Sequence, residues 1–171
     1  MNESRTKAVY WHYTTNQGLT GILRDQVIRP ATAAVDRRER PIVWFSTNQD
    51  WEKTVTKALK YSDGRLVALK TPPQFVRFGV RVRVFRIGVL PQSAPLHWCQ
   101  LKAMAGIKPK VIKGLVRSAI ELGADPSEWR GTFEPVPATE WISLQEWNGG
   151  KCLRGFSPLG VPGIAPSENV S

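Results

Sequence analysis

His12 and Thr14 stand two residues apart in the run Tyr10-Trp11-His12-Tyr13-Thr14-Thr15. Side chains of an extended chain alternate with period two, so these two share a face. An imidazole beside a hydroxyl offers both donor and acceptor groups at the end of an aromatic strand. That pair suits a ligand rich in hydroxyl or amide groups, such as a ribose. A second run, Val43-Trp44-Phe45-Ser46-Thr47-Asn48, has the same form: an apolar strand that ends in polar side chains.

The elements that must hold these residues follow from apolar periodicity and from capping residues. Residues 8–13 read as a first strand. Thr14, Thr15 and Asn16 cap a short helix over 18–23, whose apolar face is Leu19, Ile22 and Leu23. Residues 27–30 are briefly extended and stop at Pro30, and the polar residues 31–40 read as a mobile loop or an irregular helix with its arginines in solvent. Residues 42–46 read as the second strand. Asn48 and Asp50 are placed to cap a helix expected over 51–59. Residues 66–70 read as a strand ended by Pro72-Pro73. Residues 75–87 alternate, with Val76, Phe78, Val80, Val82 and Val84 on one face and Arg77, Gly79, Arg81 and Arg83 on the other. That pattern predicts a half-buried strand with a basic face, or a hairpin bent at Gly79. Helices are expected over 98–105 and 109–122, the latter stopped by Gly123, and a last strand over 141–147. Strands outnumber helices and are interrupted by them, so the fold class is α+β on a largely antiparallel sheet. Residues 1–153 are expected to form one domain. Residues 154–171, rich in Gly, Pro and Ser, are expected to form a poorly ordered tail.

The chain has 171 residues and a formal charge of +10. Such a length suits one domain with a core of its own. The charge favours an anionic partner, whether nucleic acid, an acidic protein or a phosphorylated ligand. Arg77, Arg81, Arg83, Lys108, Lys110 and Lys113 are the candidate nucleic-acid contacts. Two cysteines, Cys99 and Cys152, make no disulfide framework and suit a reducing compartment. His97 and Cys99 lack the spacing of a metal site, so no metal is expected. No run approaches the ~20 apolar residues of a membrane span, and residues 1–7 do not read as a signal peptide. The expected location is cytoplasmic, with no membrane partner.

Taken in order, the two strands and a late Glu140-Trp141-Ile142-Ser143-Leu144 resemble the ADP-ribosyltransferase superfamily, in its diphtheria-toxin-like and poly(ADP-ribose) polymerase-like branch. The resemblance spans roughly the first sixty residues and the segment 131–147. It implies a split, mostly antiparallel sheet with NAD as co-substrate in the cleft. His12-Tyr13-Thr14 matches the branch's His-x-Ser/Thr strand, in which the histidine contacts the adenine-side ribose and the hydroxyl and nearby backbone receive the nicotinamide amide. Residues 42–47, with Phe45 and Ser46, resemble the second strand. Trp51 lies near the place of the tyrosine that stacks on nicotinamide, and it departs from the family pattern in lacking the phenol. The catalytic carboxylate would be Glu140, or its rival Glu134 in Phe133-Glu134-Pro135. Arg29, Arg37, Arg38 and Arg40 are candidates for the pyrophosphate, since guanidinium pairs with phosphate bidentately.

Three functions follow as expectations. The first is an NAD-dependent mono-ADP-ribosyltransferase acting on a nucleic-acid or protein acceptor, of the size of small bacterial or phage toxins and effectors of this superfamily. The second is a catalytically silent basic module on the same fold, which grips nucleic acid or inhibits a partner. The third is an RNA 2′-phosphotransferase, which shares the fold and uses NAD, but whose pattern of cleft arginines and a histidine is matched here only at His12.

Overall fold

The computed structural model describes residues 8–32, 35–55, 57–60, 66–69, 83–147 and 152–156. Arg77, Arg81, most of the expected strand over 75–87 and the segment 157–171 lie outside the described residues.

Strand β1 (Tyr10–Thr15) runs directly into helix α1 (Asn16–Asp25). Thr15 is the cap: its Oγ1 accepts the Gly18 amide at 3.3 Å, and the helix ends at Gln26 in the left-handed conformation. β2 (Val27–Ile28) follows, then β3 (Val43–Ser46). β4 (Lys57–Lys60) and β5 (Leu66–Leu69) pair with each other. β6 (Val84–Val89) and the short β7 (Leu96–His97) precede helices α2 (Trp98–Met104) and α3 (Pro109–Leu122). Pro109 opens α3 and Gly123, at φ 68°, closes it, as the sequence predicts. β8 (Trp129–Thr132), β9 (Val136–Pro137), β10 (Trp141–Trp147) and β11 (Cys152–Phe156) complete the chain's described elements.

Seven of these strands form one sheet in the order β11-β10-β6-β1-β3-β8-β7, and every pairing in it is antiparallel. The α+β class with a largely antiparallel sheet is therefore as the sequence predicts. Directly opposed residues of neighbouring strands share a face, and the sheet has two apolar faces. On one, Ile87, Leu144, Phe45 and Val89 pack with Leu19 of α1 and with Ile28 and Val136 of the small β2–β9 ladder. On the other, Ile42, Trp129 and Phe133 pack with Trp98 and Leu101 of α2 and Ala119 of α3. Full burial of each such side chain contributes about 1.5–3 kcal/mol.

Two expectations are corrected. The helix expected over 51–59 does not form: residues 51–55 make an irregular turn, and Lys57–Lys60 is a strand. Asn48 Oδ1 accepts the amides of Asp50 and Trp51, which closes a tight turn instead of opening a helix. Of the basic face expected on the alternating segment, Arg77 and Arg81 lie outside the described residues and Arg83 is exposed, but the half-buried pattern does not continue into β6. It is a central strand buried from end to end, with Arg86 only 6% exposed. β11 pairs with β10 and extends the sheet to Phe156.

Candidate functional site

β1 and β3 pair through a single residue pair, Trp11 with Ser46. Beyond that pair the strands part, and the His12 side chain lies in the gap. Its Nδ1 is 2.9 Å from the Trp44 carbonyl oxygen, and its ring lies 5.6 Å from that of Phe45. A carbonyl only accepts, so Nδ1 carries the proton of this bond, and Nε2 of the neutral ring is then an acceptor. The imidazole thus supplies the donor that a continued β ladder would otherwise have given to Trp44.

The parting of the strands opens a cavity of 450 Å³, within the range of small-molecule sites. Residues of both sheet faces line it. His12, Val43, Phe45, Arg29 and Ala31 come from the α1 side; Trp44, Ser46, Glu52, Thr54 and Trp129 come from the other, and Leu115, Ser118 and Leu122 of α3 form part of the wall. Among the described residues its two charged groups have opposite sign. Arg29 is exposed and is held by Asp25, whose carboxyl is pushed down to about 2 by hydrogen bonds from Arg24 and Arg29. Glu52 is only 5% exposed.

Three hydrogen bonds hold the Glu52 side chain in the wall. Oε1 accepts from the Thr54 amide at 3.0 Å and from Thr54 Oγ1 at 2.5 Å, and Oε2 accepts from Ser46 Oγ at 2.8 Å. Its own amide donates to the Tyr13 hydroxyl oxygen at 3.2 Å. Glu52 therefore ties β1, through Tyr13, to β3, through Ser46, across the gap. Burial pushes the Tyr13 phenol above its ordinary value, and Arg86 nearby opposes that rise. Arg86 stands behind this wall. It donates to the carbonyls of Gln49 and Asp50 at 2.7 and 2.8 Å and to Gln145 at 2.8 Å, and it lies 4.0 Å over the Trp11 ring. These bonds hold the turn that carries Glu52, and they fix the buried guanidinium at three acceptors.

Of the residues expected to hold NAD, His12, Tyr13, Phe45, Ser46 and Arg29 line the cavity. Thr14 does not. It shares the face of His12, as the spacing predicts, but is buried at the root of α1, where its Oγ1 stands 2.3 Å from the place a Gly18 Cβ would take. Trp51 is also off the wall; it packs edge-on against Tyr13 at 4.9 Å. Neither expected carboxylate lines the cavity. Glu134 is exposed and pairs with Arg40 at 3.1 Å, and Glu140 is exposed at the start of β10. Among the expected basic contacts, Arg83 is bound to Glu146 and Lys108 to Asp36, while Lys110 and Lys113 are exposed on α3.

Sequence reasoning missed Glu52, Arg86 and the α3 wall. The polar partners of Arg86 at Gln49 and Gln145 stand 37 and 59 residues away, so no local pattern announces them. The nearest signal was an acidic residue beside Trp51 in a stretch otherwise read as a helix surface.

No protein-family model, curated protein or solved structure matches the chain. Among the described residues no helix is long and apolar enough to cross a membrane, and no cluster of His, Cys, Asp and Glu has the makings of a metal site.

Proposed function

We propose that this chain is an NAD-dependent ADP-ribosyltransferase, with a nucleic acid or a protein as acceptor. The observation that carries the reading is the cavity at the split between β1 and β3, where His12, Tyr13, Phe45, Ser46 and Arg29 converge. NAD joins an anionic pyrophosphate to a cationic nicotinamide ring, and the wall offers a guanidinium and a carboxylate. Trp44 and Phe45 supply aromatic surface, and stacking on a cationic ring contributes about 0.5–2 kcal/mol. Arg29 is suited to the pyrophosphate. In the reaction the bond from ribose C1′ to the nicotinamide nitrogen breaks, and its electron pair leaves with nicotinamide. C1′ takes up oxocarbenium character and bonds to the acceptor's nucleophile, whose proton passes to solvent. A carboxylate beside the ribose favours that charge.

The test is NAD binding by calorimetry together with release of nicotinamide by the full chain. Wild-type protein is expected to bind NAD and release nicotinamide. His12→Ala is expected to weaken binding by ~10-fold or more, because it removes a group that spans the gap and touches the ligand. No binding and no release in the wild type would overturn the enzyme and leave the silent basic module.

A further inference from the structure

We infer that Glu52, and neither Glu140 nor Glu134, is the carboxylate set against the positive charge of the bound dinucleotide; this rests on the transferase reading above. Among the described residues Glu52 is the carboxylate that lines the cavity, and it is 5% exposed. Among the described residues it has no ion-pair partner: the groups on its two oxygens are the neutral donors Ser46 Oγ, Thr54 N and Thr54 Oγ1. Taking a carboxylate out of water is costly unless a cation or several donors compensate it. Three neutral donors orient the group, and among the described residues no salt bridge neutralises it; the buried Arg86 guanidinium acts on the neighbouring Tyr13 and is bonded to the Gln49 and Asp50 carbonyls. A cationic ligand in the cavity would supply a counter-charge.

The fixed geometry matters as much as the charge. A dipole or charge that is already aimed where positive charge develops needs no reorganisation during the reaction. Ser46 and Thr54 hold the carboxylate from two sides, and the Tyr13 hydroxyl holds its backbone. In the bound state the ligand's positive charge lies on the nicotinamide ring. As the C1′–N bond breaks it moves to the ribose, while the bond's electron pair goes to the departing nitrogen. Glu52 forms and breaks no covalent bond in this step. Glu134, by contrast, is already paired with Arg40 at the surface, and Glu140 is exposed, where solvent screens its charge.

The experiment compares wild type, Glu52→Gln and Glu140→Gln in two readouts. One is the rate of nicotinamide release. The other is the ratio of affinities for NAD and for its reduced form, whose nicotinamide ring is neutral. Glu52→Gln is expected to lower release by ~100-fold or more, the scale of losing one oriented transition-state contact, and to reduce the preference for the oxidised form. A merely structural Glu52 would not move that ratio. Release lost in Glu140→Gln and retained in Glu52→Gln overturns the inference while the transferase reading stands. Failure of the wild type to bind NAD overturns both. Should Glu52→Gln fail to fold, Thr54→Val decides: release reduced with the melting temperature unchanged supports the role, and unchanged release overturns it.

Discussion

Tyr13 shows how one side chain serves both fold and site. Its ring lies 4.9 Å from Trp51, its hydroxyl receives the Glu52 amide, and it forms part of the cavity wall. Burial is the main reason that its phenol is harder to ionise than in water. A group whose folded value is raised contributes stability that is fully present below its unfolded value of about 10. That contribution is lost as pH rises through the folded value, because the unfolded chain releases the proton first. Urea unfolding between pH 8 and pH 11 should therefore show stability falling above pH 10. Tyr13→Phe should flatten that fall, although it also removes the acceptor for the Glu52 amide and lowers stability at pH 8 by about 0.5–1.5 kcal/mol. An equally steep alkaline fall in the variant would assign the effect to other groups.

At the scale of elements, β8 decides how closely α2 approaches the sheet. It pairs with β3 on one side and β7 on the other, and Gly131 lies in both ladders. A Cβ on Gly131 would meet Ile42 Cγ2 at 2.9 Å, the Val43 carbonyl oxygen at 2.9 Å and Leu101 Cδ1 at 3.1 Å. The carbonyl belongs to the ladder itself and cannot move aside as a side chain would. Gly131→Ala should cost about 1–3 kcal/mol, read as a lower denaturation midpoint with an unchanged denaturant slope. A neutral or stabilising result would mean that β3 and β8 separate more easily than their pairing implies. The same element scale explains the misread helix over 51–59. Asn48 does cap amides, but the Glu52 side chain captures the Thr54 amide and hydroxyl, so no helical ladder forms.

Over the whole molecule, a charge of +10 is divided unequally between internal pairs and open surface. Lys108 and Arg83 are paired, whereas Lys110 and Lys113 stand exposed on α3. The same helix lends Leu115, Ser118 and Leu122 to the cavity wall. A polyanion lying along α3 would thus pass beside the site, which suits a nucleic-acid acceptor. Duplex binding should weaken steeply with salt, and the double change Lys110→Glu with Lys113→Glu should reduce the log–log slope by about 0.9 for each phosphate contact removed. Affinity for duplex that is negligible even at low salt would leave a protein acceptor.

What was legible in the sequence is local. The alternation through Tyr10–Thr15 predicts that His12 and Thr14 share a face, Pro109 and Gly123 bound α3, and the count of strands predicts the α+β class. Each follows from backbone geometry over a few residues, where neighbours in sequence are neighbours in space. What only the tertiary structure decided is which polar groups meet. The two strands part after one residue pair, α1 covers Thr14, and the turn after β3 folds Glu52 between Tyr13 and Ser46. Those partners are joined by sheet order and long-range packing, and neither leaves a period or a spacing in the chain.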